Sequence, residues 1–273
     1  MTMFVAPLLM VLSEFTSPLP EYSCFDVSLS SLLEPGSYQQ ATQGKEWLET
    51  MQVEITVSER NNTWIVTALP PNKRMLGCCW VYNLKLKLNG TIERHKTHLV
   101  TKGYSQIKGV DYIDCFSLVA KTVTIRVFLV VEASKGWPVH HFDVSNAFLH
   151  GRLDEDIYKE PHERYQVPEG HVCKLINSLY DLKQASKKWN EEFIERIEAF
   201  GFLHSKHDDC LFTKRTDAGL ISLLLYVDDI LITRPSKPHI VNVKRYLNKL
   251  VTVKDLGEIK YFLVLEIARS SGD

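Results

Sequence analysis

The sequence has little net charge, no ordered cysteine pattern and no long apolar run. Across 273 residues, 32 Lys and Arg stand against 33 Asp and Glu, a formal charge of −1. The chain as a whole is therefore not a polycation, and a nucleic-acid partner would have to be met by a local patch. Six cysteines (Cys24, Cys78, Cys79, Cys115, Cys173 and Cys210) occur without a CxxC pair or a Cys/His ligand spacing. Neither a zinc site nor a disulfide framework is indicated, and reduced intracellular thiols are the default. The opening MTMFVAPLLMVL is apolar, but it lacks a basic n-region, is too short to span a bilayer and is soon followed by Glu14 and Pro18. It reads as a ragged fragment end or a packed segment, and no membrane partner is expected. No internal repeat is visible.

What is present is core. Hydrophobic residues make up 45% of the chain, enough for one large domain or two modest ones. The charge is also unevenly spread. Between Asn72 and Lys108 there are eight basic residues (Lys73, Arg74, Lys85, Lys87, Arg94, Lys96, Lys102 and Lys108) and one acid, Glu93. Cys79 to Leu88 and Thr91 to Val100 read as strands joined at Asn89-Gly90, a type I′ turn signal. Residues two apart on a strand share a face, so Lys85 and Lys87 form a row. This basic hairpin is either a solvated surface or a phosphate-contacting one.

Farther on, Val119, Val123, Val127 and Val130 recur at helical spacing, although β-branched content makes that helix ambiguous. Val139 to Asp143 reads as a short strand. Leu179, Leu182, Ala185, Trp189, Phe193, Ile197 and Phe200 predict an amphipathic helix with Asn177 or Ser178 as cap and Gly201 as terminator. Leu211 to Lys214 and the run LLLYVDDILIT at 223–233 read as strands, Ile240 to Leu250 as a helix and Ile259 to Ile267 as a closing strand. From residue 139 the order approaches βαββαβ, an antiparallel sheet with helices on one face, in the α+β class.

LLLYVDDILIT places Asp228 and Asp229 inside an apolar run. An uncompensated ionised carboxylate in a low-dielectric interior is costly, so the pair needs cations, hydrogen bonds or water nearby. One reading makes both residues turn formers at a hairpin tip. In the other, a strand ending at Asp143 brings a third carboxylate to the same edge, where hard divalent cations, Mg²⁺ or Mn²⁺, would hold the cluster. Two such ions form the clamp of phosphoryl-transfer enzymes.

YVDD at Tyr226 to Asp229 and FDVSNAFLHG at Phe142 to Gly151 resemble the core of reverse transcriptases of Ty1/copia LTR retrotransposons. The likeness runs in order through WVYNLKLKLNGTIERHKTHLVTKGYSQ, VCKLINSLYDLKQASKKW and VKDLGEIKYFLVLEIARS, from about Pro35 to the end. It implies RNA-directed DNA polymerase activity on an RNA template and DNA primer with dNTPs, within a polyprotein that acts in a cytoplasmic particle or the nucleus. It implies a leader at 1–44, fingers at 45–138 with the basic hairpin, and a palm at 139–273. Asp143 and Asp228 would be the principal ligands of two Mg²⁺ or Mn²⁺ ions, with Asp229 the third, auxiliary acid. Val144, Ser145, Asn146 and Ala147 would cradle the triphosphate, and Phe148 would be the aromatic gate against a 2′-hydroxyl. Lys96, Lys102, Lys183 and Gln184 would meet nucleotide or template.

The sequence departs from the family pattern at His98, where arginine is usual, and at Asp181, Ser186 and Leu118, which replace glycine, proline and proline. A histidine cannot fork onto phosphate as arginine does, and a glycine can mark close backbone approach to nucleic acid. Thumb and RNase H regions are not recognisable in the chain. The alternative reading is therefore a degenerate, catalytically inactive retrotransposon fragment that at most binds nucleic acid through its basic hairpin.

Overall fold

The computed structural model describes residues 3–7, 34–87, 89–163, 165–217, 219–233, 237–263 and 265–269. Most of the expected leader, residues 8–33, and Leu88 of the expected hairpin strand lie outside the described residues. The chain order begins β1 (Met3–Pro7), α1 (Lys45–Arg60), β2 (Trp64–Ala68), β3 (Met75–Leu76), β4 (Cys78–Leu86) and β5 (Ile92–Thr101). Next come α2 (Thr122–Ser134), β6 (Val139–Val144), β7 (Tyr158–Lys159), β8 (His171–Leu175) and α3 (Ala185–Ala199). The rest is β9 (Leu203–His204), β10 (Leu211–Thr216), β11 (Gly219–Tyr226), β12 (Asp229–Thr233), α4 (Lys237–Leu250), β13 (Val253–Glu258), β14 (Tyr261–Phe262) and β15 (Leu265–Arg269). It is a mixed α and β chain that divides into two compact units, each discontinuous in sequence. One takes Cys115–Gly151 and Ser186–Asp273 together with β1; the other takes Arg152–Ala185 and the described residues up to Asp114.

The first unit is built on a six-stranded antiparallel sheet of order β13-β6-β12-β11-β10-β9. Alternate residues of its strands face opposite ways. Phe142, Leu223, Leu225, Ile230 and Ile232 pack with Trp189, Phe193 and Ile197 of α3 and Ile240, Val243 and Leu247 of α4. Val139, Leu224 and Leu231 pack with Ile125, Phe128 and Leu129 of α2 and with Ile259, Phe262 and Ile267. Both faces are covered, which is why LLLYVDDILIT is apolar at both parities. α3 and α4 share one face as expected, and α2 adds cover on the other.

Two helices differ in detail from the sequence reading. The buried stripe of α2 is Ile125, Phe128 and Leu129, while Val119, Val123, Val127 and Val130 are 47% to 71% exposed. α3 begins at Ala185 and not near Leu179, because Asp181 at φ +67° cannot continue a right-handed helix. Its end is as expected: Gly201 at φ +91° closes a Schellman turn, with Phe202 N–H donating to Ile197 O and Gly201 N–H to Glu198 O. The closing strand expected at 259–267 is divided into β14 and β15, and β13 precedes them.

The second unit holds the β4–β5 ribbon, covered on one side by α1. Trp47 meets the rings of Tyr82 and His95 edge-on at 5.5 and 4.6 Å, and Tyr82 Oη donates to Met51 Sδ at 3.7 Å. The ribbon does not turn as type I′, which needs positive φ at both central residues. Only Gly90 is left-handed, at φ +77°, with its N–H on Lys87 O at 2.9 Å. A four-stranded sheet of order β2-β8-β7-β3 completes the unit and buries Lys159 fully, its Nζ 4.5 Å from the Trp64 ring centre.

Candidate active site

The acids sit on the first unit's sheet edge. Tyr226 pairs with Asp229 across β11 and β12, so Val227 and Asp228 form the turn between them. Val227 has φ +58°, a left-handed conformation that a β-branched residue adopts only under constraint. Two hydrogen bonds supply it: Trp189 Nε1–H donates to Val227 O at 2.7 Å, and Val144 N–H donates to Asp228 O at 2.8 Å. Asp228 is exposed at the tip. Asp229 is the direct register partner of Asp143, so the two carboxylates leave the same face of neighbouring strands.

Two further side chains belong to this edge. His141 lies two residues before Asp143, on the same face, and its Nε2 is 2.6 Å from Asp229 Oδ1. Lys254 on β13 is the register partner of Asp143 on its other side. Asp143 thus stands between a carboxylate and an exposed ammonium. Neither His141 nor Lys254 was singled out from sequence. His141 was readable from the two-residue spacing to Asp143, whereas Lys254 depends on the pairing of β13 with β6.

Beyond Val144 the chain leaves the sheet. Val144 N–H serves Asp228 O, and Ser145 N–H donates to Thr252 O at 2.9 Å, so these two amides hold the strand end. Asn146 follows at φ +55°, then a turn of 3₁₀ helix over Ala147–His150. Ala147 is buried, and Phe148 is half-buried against the α3 and α4 core.

The remaining expected site residues belong to the second unit. On the outer face of the ribbon Lys85 lies directly opposite Arg94, and Asn83 opposite Lys96. Lys96 and Lys102 are exposed. His98 is turned to α1, its Nδ1 3.2 Å from Glu54 Oε1, so the position that departs from arginine serves a contact within the unit. Lys183 N–H donates to Gln106 Oε1 at 2.8 Å, and its Nζ lies 5.1 Å from the Tyr112 ring centre. Gln184 is fully buried; its amide donates to Asp111 O at 3.1 Å and accepts from Gln106 Nε2 at 3.0 Å. Asp181 takes the left-handed conformation, and a methyl group on Gly103 would overlap the Asp181 carbonyl. Position 181 therefore carries a backbone demand within the unit, one that glycine would meet without strain.

Residues 61–273 match the family described as "Reverse transcriptase (RNA-dependent DNA polymerase)". The chain belongs to the reverse transcriptase family. Its relatives place it in the Ty1/copia type. It is 37% identical over 255 residues to the retrovirus-related Pol polyprotein from transposon RE1 of Arabidopsis thaliana, covering 92% of this chain and 17% of the relative. It is 38% identical over 258 residues to the corresponding polyprotein from transposon TNT 1-94 of Nicotiana tabacum, covering 92% and 19%. The chain thus spans less than a fifth of the length of these curated relatives.

As a donor set for a divalent ion, Asp143, Asp228 and Asp229 offer only carboxylate oxygens, which suits Mg²⁺ or Mn²⁺. Among the described residues, no three His, Cys, Asp or Glu side chains already converge as a metal-holding group. Asp229 is engaged by His141. The five described cysteines are free thiols, and burial lifts Cys78 to about 11 and also raises Cys173. Cys173 and Cys210 are buried in the core, whereas Cys115 is exposed. No helix among the described residues is long and apolar enough to cross a membrane.

Proposed function

We propose that the chain is the polymerase portion of a Ty1/copia Pol polyprotein and extends a DNA primer on an RNA template. The reading rests on one observation: in a chain of this family, Asp143 and Asp229 are register partners, and the adjoining turn that carries Asp228 is held by hydrogen bonds to the Val227 and Asp228 carbonyls from the Trp189 indole and the Val144 amide. In this reading the six-stranded sheet is the palm and the basic ribbon belongs to the fingers. Asp143 and Asp228 would hold Mg²⁺ or Mn²⁺, which supplies Lewis-acid polarisation of phosphoryl oxygens when bound. The residues themselves orient the reacting groups. Asp229, braced by His141, supports the acid pair. The segment from Val144 to Ala147 borders the nucleotide, its Val144 and Ser145 amides tying it to Asp228 O and Thr252 O. Phe148 presents a ring, held from behind by the core, under the sugar. Lys96, Lys102 and Lys183 meet phosphate, and Gln184 acts indirectly by fixing Lys183 and Gln106.

Primer extension on an RNA template with dNTPs and Mg²⁺ or Mn²⁺ tests the proposal. Product is expected from the chain, and Asp228→Asn is expected to lower its rate at least about 10³-fold without lowering the unfolding midpoint. Salt-sensitive RNA binding with no extension would favour the inactive-fragment reading instead.

A further inference from the structure

We infer that Trp189 is a positioning residue for the acid-bearing turn: its indole N–H fixes the Val227 carbonyl and thereby the placement of Asp228 relative to Asp143. The inference rests on reading these carboxylates as the reactive edge. Trp189 is fully buried in α3. Core packing accounts for its ring, which lies 5.5 Å from that of Phe193, but not for the direction of its N–H. A buried indole needs an acceptor, and this one takes the carbonyl of the one turn residue held at positive φ, at 2.7 Å.

A β-branched residue in the left-handed region persists only where its surroundings over-determine it. Here the two consecutive carbonyls flanking Asp228 Cα are each held, Val227 O by α3 and Asp228 O by Val144 N–H, the residue after Asp143. The segment that follows the strand carrying Asp143 also meets Trp189. Gly151, which closes FDVSNAFLHG, lies so near the helix that a Cβ there would sit 2.6 Å from Trp189 N and 2.7 Å from Lys188 C. His150 beside it has its ring centre 6.1 Å from that of Trp189. One residue therefore seats the turn bearing Asp228 and the segment following Asp143. Loss of the N–H alone would free the turn to relax out of its strained conformation while leaving the core filled.

The test uses the full chain as wild type, Trp189→Phe, Val227→Gly and the double variant. A fifth form carries benzothienylalanine at 189, which keeps the indole shape without the N–H and covers a failure of Trp189→Phe to fold. Amide hydrogen exchange at residues 226–230 is expected to quicken roughly tenfold without the N–H, with the rest of α3 unchanged. In single-nucleotide extension, kcat is expected to fall roughly tenfold, with KM for dNTP within about twofold. Glycine tolerates positive φ, so Val227→Gly is expected to recover part of that loss in the double variant. Unchanged exchange at 226–230, unchanged kcat in an active chain, or strict additivity with Val227→Gly overturns the inference. If the wild type extends no primer, the functional reading fails separately and Mn²⁺ titration decides. Several-fold weaker Mn²⁺ binding without the N–H supports the clamp, and equal binding overturns it.

Discussion

The two compact units concentrate opposite charge in different ways. In the first, Asp143 faces Asp229 across neighbouring strands, yet His141 contacts Asp229 and Lys254 flanks Asp143. The strands beneath them are buried on both faces. In the second, Lys85 faces Arg94 on an exposed ribbon, and among the described residues neither has a carboxylate within salt-bridge distance. Like charges directly opposite one another destabilise a strand pair. The acid edge is thus flanked by a cation and rigidly supported by the protein itself, whereas the basic ribbon sets Lys85 against Arg94. On the proposed reading, the first would be a preorganised reactive edge and the second a salt-sensitive binding surface.

The largest expected effects ask whether each unit is locked by backbone-on-backbone contact. Gly103→Ala drives a methyl group into the Asp181 carbonyl and is expected to cost about 3 kcal/mol or more. Gly151→Ala meets the Trp189 and Lys188 backbone at 2.6 to 2.7 Å and is expected to cost about 2–3 kcal/mol. Denaturant unfolding measures both. In folded protein, Gly103→Ala is expected to weaken RNA binding more than nucleotide incorporation, and Gly151→Ala the reverse. Losses below about 0.5 kcal/mol in both would remove the lock from the comparison.

A contrast of buried charge comes next. Lys159 is fully buried against Trp64 and beside Cys78 and Cys173, and burial lowers its pKa from the ordinary 10.5. Between that lowered value and 10.5 the unfolded chain binds more protons than the native one, so stability rises with pH across this window and levels above it. Lys159→Met is expected to abolish this slope and to stabilise the chain by about 1–3 kcal/mol at neutral pH. Unfolding midpoints from pH 7 to 10 check it; a slope that survives in the variant refutes the assignment.

A smaller effect is expected on the ribbon. Lys96→Ala is expected to weaken RNA binding several-fold at moderate salt and to reduce the dependence of log K on log salt by about 1. Lys85→Ala also removes the repulsion with Arg94 and is expected to leave the chain slightly more stable. An unchanged salt slope in both variants would take the phosphate contact away from this face.

The acid hairpin was legible in sequence because its signal is local: two apolar runs, two acids between them, and a second run ending in an acid two residues past a histidine. The Ile240, Val243 and Leu247 stripe of α4 was legible for the same reason, through its 3.6-residue period. What escaped depended on partners distant in sequence. The valines of α2 had a good period but lie on its outer side, because the sheet selects Ile125, Phe128 and Leu129. Gln184 reads as a polar residue beside a ligand, yet Gln106 and Asp111 take up its amide inside the unit. Lys254 and Trp189 reach the acid edge only through the register of β13 and the docking of α3, which no spacing in the sequence encodes.

The smallest expected effect separates two meanings of Asp181. From sequence, an acid in place of glycine suggested bulk and negative charge where nucleic acid approaches. The structure gives the position φ +67° and sets its carbonyl against Gly103, a demand glycine meets without cost and aspartate meets at a modest one. Asp181→Gly is expected to stabilise the chain by about 0.5–1 kcal/mol. Asp181→Asn keeps the backbone cost while removing the charge. If the backbone is what matters, only the glycine variant shifts the unfolding midpoint, and both bind RNA as the parent does. If both variants bind RNA equally more tightly, the carboxylate itself opposes the ligand, and the second unit then carries an acid against its own basic surface that the protein does not neutralise.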